Sequence, residues 1–303
     1  MSRGASEALL AQFEEHLVFT QLSPLTVINY LADLRALVRW GVNCIGSDFS
    51  LDTLSPTIIR AYRFHLLEEK HSATATVNRR LQALRKFCAF AVQAGIMTSN
   101  PTEGVQLVQN EGTISVSPLT GKQIKELLRA SGSEQPGLVR RDTAILMLLL
   151  HTGLRVNELV ELRLDDVHFD HPGTHLTVRD GRHGEVRKVP LEGELRQVLY
   201  EYLPVRPNVE GEDRLFLSRE GRPISTRSVQ RIVSDRARAA GLDGVSPQVL
   251  RRTYASRLLT STGDLVLVSQ RLGHQSLATT TRYLKISVKE QAGEVAAQQT
   301  RVL

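Results

Sequence analysis

The sequence predicts a mainly α-helical protein of two domains, with a small antiparallel β-sheet in the second domain. A length of 303 residues suits two ordinary domains better than one. Apolar residues recur at helical spacing through the N-terminal third, residues 106–117 are polar and aperiodic, and strand-like alternation follows only later. We therefore place a helical bundle at residues 1–107, a linker at 108–117 and a mixed α/β domain at 118–303.

The first domain is predicted to contain four or five helices. Residues 6–20 place their apolar side chains on one helical face. Serine followed by proline, at Ser23 and again at Ser55, is typical of a helix start, because the serine side chain accepts a backbone hydrogen bond and proline fits the first turn. A further helix begins near Ser72, and Gly95 ends it.

The second domain is predicted to combine helices with one β-hairpin. Its second helix, residues 140–153, is almost wholly apolar, which indicates a central position. Residues 174–181 then alternate apolar and polar side chains, residues 182–184 (Arg-His-Gly) form a turn, and residues 185–191 return as a second strand. From Leu195 onwards the pattern is helical again.

The chain is basic, which favours an acidic partner such as nucleic acid. The formal net charge is +6, and 31 of the 38 basic residues are arginine. The planar arginine fork matches phosphate oxygens, although a GC-rich genome would give the same bias. On the predicted fourth helix, basic side chains cluster beside a small polar group suited to phosphate contact: Arg79, Arg80, Arg85, Lys86 and Thr76. An ordinary solvated helix face is the alternative interpretation.

Motifs typical of metal and cofactor sites are absent from the sequence. There is no C-x-x-C pair, Walker A loop, acidic metal cluster or H-E-x-x-H. Phosphodiester transfer without a metal requires a nucleophile, positive charge on the non-bridging oxygens and a proton donor for the leaving oxygen. We expect no cofactor. Because no signal peptide or membrane-length apolar run is found, we expect a cytoplasmic protein.

Three segments of the second domain resemble the motif boxes of the tyrosine recombinase family, which includes phage integrases and Xer-like proteins. The first box is residues 151–159 (HTGLRVNEL), and the second is residues 249–255 (VLRRTYA). The third is residues 272–276 (LGHQS), followed by residues 279–283 (TTTRY). The boxes occur in the family's order. The first domain resembles the family's SAM-like core-binding domain, which clamps DNA, so the resemblance covers nearly the whole chain.

The resemblance implies a DNA strand transferase with chemistry like that of type IB topoisomerases. Tyr283 would attack the scissile phosphate and form a 3′-phosphotyrosyl bond. Arg155 and Arg251 would hold the non-bridging oxygens, and His274 would hydrogen-bond the phosphate or assist proton transfer. No external energy source is required, since the phosphotyrosine keeps the bond energy. The implied partner is double-stranded DNA with an inverted-repeat core site.

The second box departs from the family pattern at its first position. The family has a histidine three residues before the arginine, whereas this chain has Gln248. Glutamine can donate a hydrogen bond to a phosphate oxygen but cannot shuttle a proton. Either this position supplies only hydrogen bonding, or proton transfer lies elsewhere. A slow enzyme, an enzyme active only in a special assembly, and a DNA-binding protein that has lost catalysis are the alternatives.

The hairpin tip departs from the family pattern as well. The family lysine at the tip, thought to protonate the leaving 5′ oxygen, is matched here by Arg182. Arginine is a poor general acid because its pKa is too high. We expect Arg182 to orient the phosphate. Lys188 is the lesser alternative, set opposite Arg179 by a turn at His183 and Gly184, and His183 is a further possible proton donor.

Residues 284–303 follow the predicted nucleophile and contain a short apolar face. They could fold onto their own domain, but the resemblance implies docking onto a neighbouring protomer. The assembly would be a homo-tetramer on two DNA duplexes, or a hetero-tetramer shared with a second recombinase. Chromosome dimer resolution, transposon cointegrate resolution and element integration all stay open as the biological role, and the two departures favour a mobile element slightly.

Overall fold

The computed structural model describes residues 2–109, 117–130, 135–169, 173–179, 186–191 and 193–273. The chain divides into two compact units, Met1–Ile114 and Ser115–Leu303. The predicted fold class is confirmed: the described residues are mainly helical, with one small antiparallel sheet in the second unit. Within these ranges, no helix combines the length and apolarity needed to cross a bilayer.

In its described part, residues 2–109, the first unit is a bundle of four α-helices, with a short 3-10 turn at Leu51–Thr53 and a π-helical turn at His65–Glu69. The α-helices are α1 (Ser2–Phe19), α2 (Pro24–Cys44), α3 (Pro56–Phe64) and α4 (Thr74–Gln93). Both predicted serine caps are confirmed. The Ser23 hydroxyl accepts the Thr26 N–H at 3.2 Å, and the Ser55 hydroxyl accepts the Ile58 N–H at 3.3 Å.

Aromatic packing joins the helices of the first unit. The rings of Phe13 on α1 and Phe87 on α4 are both buried and meet edge to face, with centroids 5.4 Å apart. The chain after α4 returns to this bundle. The side-chain amide of Asn78 donates to the Val108 carbonyl at 2.9 Å and accepts the Val108 N–H at 2.8 Å. Val108, which was predicted to lie in the linker, is therefore hydrogen-bonded to α4.

The second unit surrounds a central apolar helix. Its helices are α5 (Gly121–Arg129), α6 (Pro136–Thr152), α7 (Val156–Glu161), α8 (Gly193–Tyr202), α9 (Thr226–Ala239), α10 (Pro247–Thr262) and α11 (Leu265–Leu272). Every residue from Ala144 to Leu150 on α6 is buried, as the sequence predicts, and α6 packs against α8 and α10. This arrangement sets the C-terminus of α6 beside α10, where the candidate site lies.

Among the described residues, three antiparallel strands form the sheet in the order β1 (Val167–His168), β2 (His175–Arg179) and β3 (Val186–Pro190). The prediction that Lys188 lies opposite Arg179 is wrong, because Lys188 pairs with Thr177 and Arg179 pairs with Val186. The pairs are symmetric about a point between positions 182 and 183, which themselves lie outside the described residues. The predicted turn lies one residue further along the chain. A one-residue shift of the turn centre changes the partner of every strand residue by two positions, so the predicted register is wrong.

Candidate active site

Arg251 on α10 joins the C-terminal ends of two other helices. Its side chain is buried, with the residue 3% exposed. Nη1 donates to the Gly153 carbonyl at 2.5 Å, and Nη2 donates to the Leu272 carbonyl at 2.8 Å. Carbonyls at a helix C-terminus lack intrahelical partners and lie at the negative end of the helix dipole, so a guanidinium is favourable there. Arg251 thereby holds the end of α6 next to the end of α11.

Gly153 makes this close approach possible. It ends α6 in the left-handed conformation, with φ +62°. A Cβ atom at this position would lie 2.4 Å from Cδ1 of Tyr254 and 2.8 Å from Cδ2 of Leu272. Glycine is required both by the backbone conformation and by the lack of space.

Arg155 lies at the N-terminus of α7, two residues after Gly153. Its backbone N–H donates to Oε2 of Glu158 at 2.7 Å, and its Nη1 donates to Oε1 of the same carboxylate at 2.8 Å. Its Nη2 donates to the Gly273 carbonyl at 2.9 Å. The side chain is nevertheless 41% exposed, so the guanidinium is fixed in direction and still accessible to a ligand.

Glu158 is shared by two arginines. Besides the two bonds from Arg155, its carboxylate receives a bidentate pair from Arg187 on β3, with Nη1 at 3.0 Å from Oε1 and Nη2 at 2.8 Å from Oε2. Burial acts to raise the pKa of Glu158, but the hydrogen bonds and charges of Arg187 and Arg155 outweigh it and lower the pKa below its usual value. Glu158 is therefore ionised at neutral pH.

The three arginines converge on the last residues of α11. Arg251 donates to Leu272 O, Arg155 donates to Gly273 O, and Arg187 Nη1 lies 3.0 Å from the position that a Cβ of Gly273 would take. The next residue in the chain is His274. The structure thus brings together the two arginines singled out in the sequence, Arg155 and Arg251, directly before the histidine of the third box.

The other predicted catalytic residues are placed differently. Gln248 is exposed in the first turn of α10, three residues before Arg251. Lys188 is exposed on β3, on the sheet face opposite to that of Arg187, because side chains alternate along a strand. Tyr283, His274, Arg182 and the C-terminal segment 284–303 lie outside the described residues.

A second tyrosine, Tyr254 on α10, lies beside the arginines. Its ring edge packs over Gly153. Burial raises the pKa of Tyr254 above its usual value, against the opposing effect of three nearby charges, those of Arg271, Arg187 and Arg251. The raised pKa disfavours the phenolate form of its hydroxyl.

Sequence reasoning missed Glu158 and Arg187. Glu158 had a local signal, since a carboxylate three residues after a helix N-cap commonly accepts the N-cap backbone N–H. For Arg187 the sequence offered only a weak signal. Strand alternation places it on the same sheet face as the buried Val189 but does not identify its partner.

The predicted DNA-binding residues of α4 lie partly in an ion cluster of the first unit. Arg79 Nη1 donates to Oδ2 of Asp33, and Arg80 Nε lies 3.6 Å from Oδ1 of the same carboxylate. Asp33 is buried on α2, and its burial raises its pKa despite the two arginines. Arg79 remains exposed, so Asp33 orients a guanidinium that solvent and ligands can still contact.

The remaining members of that set differ in accessibility. Arg85 donates through Nη2 to the Val105 carbonyl at 2.7 Å, which ties it to the segment after α4. Lys86 is exposed, and Thr76 is half-buried in the first turn of α4. Within the set, Arg79 and Lys86 are thus the more accessible cations.

Known proteins match both parts of the chain. Residues 118–290 match the model of the phage integrase family, and residues 10–95 match the N-terminal SAM-like domain of phage integrases. Tyrosine recombinase XerC of Corynebacterium efficiens is 33% identical over 267 residues, covering 88% of this chain and 82% of that protein.

Solved structures share the fold. The Tn1549 transposon integrase in complex with circular intermediate DNA superposes with a TM-score of 0.73 at 20% identity, over 91% of this chain and 94% of that one. A lambda integrase tetramer bound to a Holliday junction gives a TM-score of 0.71 at 20% identity, over 91% and 76% of the two chains.

Proposed function

The chain belongs to the phage integrase family of tyrosine recombinases, and from that premise we propose that it carries out site-specific DNA recombination through a covalent 3′-phosphotyrosyl intermediate. The observation that carries the proposal is the convergence of Arg155 and Arg251 on Leu272 and Gly273, directly before His274. A phosphate diester bound there would meet the exposed guanidinium of Arg155, whose direction is fixed by Glu158 and the Gly273 carbonyl.

In the proposed reaction, the Tyr283 hydroxyl oxygen attacks the scissile phosphorus. A bond forms between the tyrosine oxygen and phosphorus as the hydroxyl gives up its proton. The bond from phosphorus to the 5′ oxygen breaks, and that oxygen takes up a proton as it leaves, so no net proton is gained or lost. The 5′ hydroxyl of a second strand then attacks the phosphotyrosine and reverses these steps, through a Holliday junction. The chemistry is that of type IB topoisomerases and needs no metal or nucleotide cofactor.

Each predicted site residue has a proposed role in the cleavage step. Arg155 and Arg251 stabilise the non-bridging oxygens, and a donor of this kind is worth roughly 3–4 kcal/mol. Removing either arginine is expected to slow cleavage by about a hundredfold or more. His274 hydrogen-bonds the phosphate, Gln248 supplies a further hydrogen bond, and Arg182 takes the place of the family lysine. Lys188, on the opposite face of the sheet, is the less favoured proton donor.

Double-stranded DNA with an inverted-repeat core site is the proposed substrate. In the first unit, phosphate contacts are assigned to the basic face of α4, which comprises Arg79, Arg80, Arg85, Lys86 and Thr76. The exposed position of Arg79 and Lys86 supports this assignment. A cytoplasmic location follows from the proposed substrate.

A tetramer on two DNA duplexes is the proposed active assembly, made of this chain alone or shared with a second recombinase. The tetramer on a Holliday junction formed by lambda integrase supports it. Residues 284–303 are proposed to dock onto a neighbouring protomer. Deleting residues 288–303 should then abolish recombination and spare DNA binding. Loss of folding in that variant would contradict the docking role.

A DNA-binding protein of the same fold with weak or lost catalysis is the second candidate. Gln248 and Arg182 favour it, because each replaces a residue that can transfer a proton with one that cannot do so at neutral pH. The two candidates predict opposite results in a single assay, the formation of a covalent protein–DNA adduct.

The test is covalent trapping with nicked suicide duplexes. Their sequences come from the inverted repeats flanking the gene and from the host chromosome's dimer-resolution site. The wild type and Tyr254→Phe should both form a denaturation-resistant adduct, and Tyr283→Phe should form none. Tight binding of one duplex without any adduct would favour the non-catalytic candidate. An adduct lost in Tyr254→Phe and kept in Tyr283→Phe would overturn the assignment of the nucleophile.

A further inference from the structure

Arg187 contacts the arginine pair from a separate element of the fold. It lies on β3, whereas Arg155 and Glu158 belong to the start of α7. Its two terminal nitrogens bind the two oxygens of Glu158 at 3.0 and 2.8 Å, the parallel geometry of a fork-to-fork pair. Its side chain is largely buried, so solvent screens this interaction weakly.

The charges show why a second arginine matters here. Glu158 bound to Arg155 alone would make a neutral pair, and a neutral pair attracts a phosphate diester weakly. With Arg187 added, the three side chains carry a net charge of +1, from two guanidinium groups and one carboxylate. Arg187 also occupies half of the hydrogen bonds made to the carboxylate, so Glu158 holds Arg155 in one direction without cancelling its charge.

Arg187 also limits the position of the third box. Gly273 has φ +63°, and a Cβ atom there would lie 3.0 Å from Nη1 and 3.4 Å from Cζ of Arg187. The Arg155 guanidinium reaches the carbonyl of the same residue. The residue before His274 is thus enclosed between two arginines that share one carboxylate.

We infer that Arg187 is a positioning residue of the cleavage reaction. Through Glu158 it orients the Arg155 guanidinium, and it keeps the combined charge of Arg155, Glu158 and Arg187 positive where the phosphate is proposed to bind. The inference rests on the proposed recombinase function. Arg187 touches no substrate in this role, so its removal should lower the rate of the chemical step much more than it lowers DNA affinity. A purely structural link between β3 and α7 would instead lower the folded fraction.

The experiment compares full-length Arg187→Ala, Glu158→Gln and the double variant carrying both changes. Single-turnover adduct formation on the nicked duplex gives the rate, gel shift gives the affinity, and thermal unfolding gives the stability. We expect Arg187→Ala to slow adduct formation by about 10- to 100-fold, as for the loss of a supporting partner or a small displacement of a reacting group. Its DNA affinity should fall by a much smaller factor than its rate.

The double variant distinguishes positioning from structural support. In Arg187→Ala the negative charge of the buried Glu158 carboxylate neutralises Arg155. Adding Glu158→Gln removes this negative charge, and the neutral amide oxygen can still accept a hydrogen bond from Arg155. The double variant should therefore cleave faster than Arg187→Ala. Arg187→Lys, which restores the charge without the fork, should also recover part of the rate.

Arg163→Ala is the matched control, since it removes an arginine from an exposed ion pair, with Asp213. It should cleave at the wild-type rate. A wild-type rate in Arg187→Ala would overturn the inference, as would a loss equal to the loss of folded protein without recovery in the double variant. If the wild type itself forms no adduct while binding the duplex, it is the proposed function that fails.

Discussion

Replacing Gly153 with alanine would disturb the joint between α6, α10 and α11. An alanine in the left-handed conformation costs about 1–2 kcal/mol. The added Cβ would lie 2.4 Å from Tyr254 Cδ1 and 2.8 Å from Leu272 Cδ2, which demands movement of both side chains. Overpacking of this kind costs about 1–3 kcal/mol, so the total loss of unfolding free energy should be about 2–5 kcal/mol.

Gly263 offers a matched control for the backbone contribution. It ends α10 with φ +68°, and a Cβ atom there would have no heavy atom within 4 Å. Gly263→Ala should therefore lose only the conformational part, about 1–2 kcal/mol. The difference between the two variants isolates the packing around Gly153.

Calorimetric unfolding of the full chain measures both variants. For a unit of this size, 1 kcal/mol corresponds to about 2–4 °C in Tm, so Gly263→Ala should lower the second unit's Tm by roughly 2–8 °C. Gly153→Ala should lower it by roughly 4–20 °C. It should also reduce adduct formation, because the displaced Gly153 carbonyl binds Arg251. Equal Tm losses in the two variants would refute the packing argument.

Three further predictions concern Glu158, Arg79 and the hairpin residues Arg182 and Lys188. Because the pKa of Glu158 is lowered in the folded state, the ionised carboxylate stabilises the fold fully above the ordinary pKa of about 4.3, and this stabilisation is lost as pH falls through the folded pKa. The difference in unfolding free energy between the wild type and Glu158→Gln, measured in urea, should therefore shrink in acid. Arg79→Ala should weaken DNA binding and lower the salt slope of log affinity by about 1, measured by titration at several salt concentrations. In adduct assays, Arg182→Ala should slow cleavage, whereas Lys188→Ala should not.

Each of these predictions has a contradicting result. A stability difference for Glu158→Gln that grows towards acid pH would mean that the pKa of the carboxyl is raised rather than lowered. An unchanged salt slope for Arg79→Ala would show that Asp33 keeps this guanidinium from phosphate. Normal cleavage by Arg182→Ala with none by Lys188→Ala would move the proton donor to Lys188.

Helix positions were predictable wherever local chemistry marks them. Ser23 and Ser55 cap the helices they were expected to start, and the apolar run of α6 is buried throughout. The sequence pattern missed α7 and β1, because α7 has six residues and β1 has two. Segments this short carry fewer than two full periods of the helical or strand pattern, too few to mark an element, so only tertiary contacts define them.

The register of the hairpin was not predictable from its residues. Both strands were expected where they occur, but the centre of the turn was placed one residue too far along the chain. Arg-His-Gly does not specify one turn type, whereas hydrophobic alternation restricts the register only to steps of two residues. The error moved Lys188 from Arg179 to Thr177 as its partner.

The residues that complete the candidate site are separated along the chain. Arg155 and Arg251 were predicted from motif resemblance, and their convergence on α11 is visible only in the fold. Arg187 lies 29 residues from Glu158, and no periodic pattern links β3 to α7. The ion pair between Arg79 and Asp33 in the first unit was unpredictable for the same reason, since its partners are 46 residues apart along the chain.

The different burial of the two predicted phosphate-binding arginines decides how their variants should be interpreted. Arg251 binds two helix-terminal carbonyls while almost wholly buried, and removing one partner of a buried hydrogen bond costs about 1–3 kcal/mol for each group left unsatisfied. A rate loss in Arg251→Ala therefore combines altered structure with lost phosphate stabilisation. Arg155 is 41% exposed, so its truncation disturbs the fold less. A rate loss in Arg155→Ala at unchanged Tm is the cleaner measure of phosphate stabilisation, and it should be compared with Arg251→Lys, which keeps the buried charge but loses the fork.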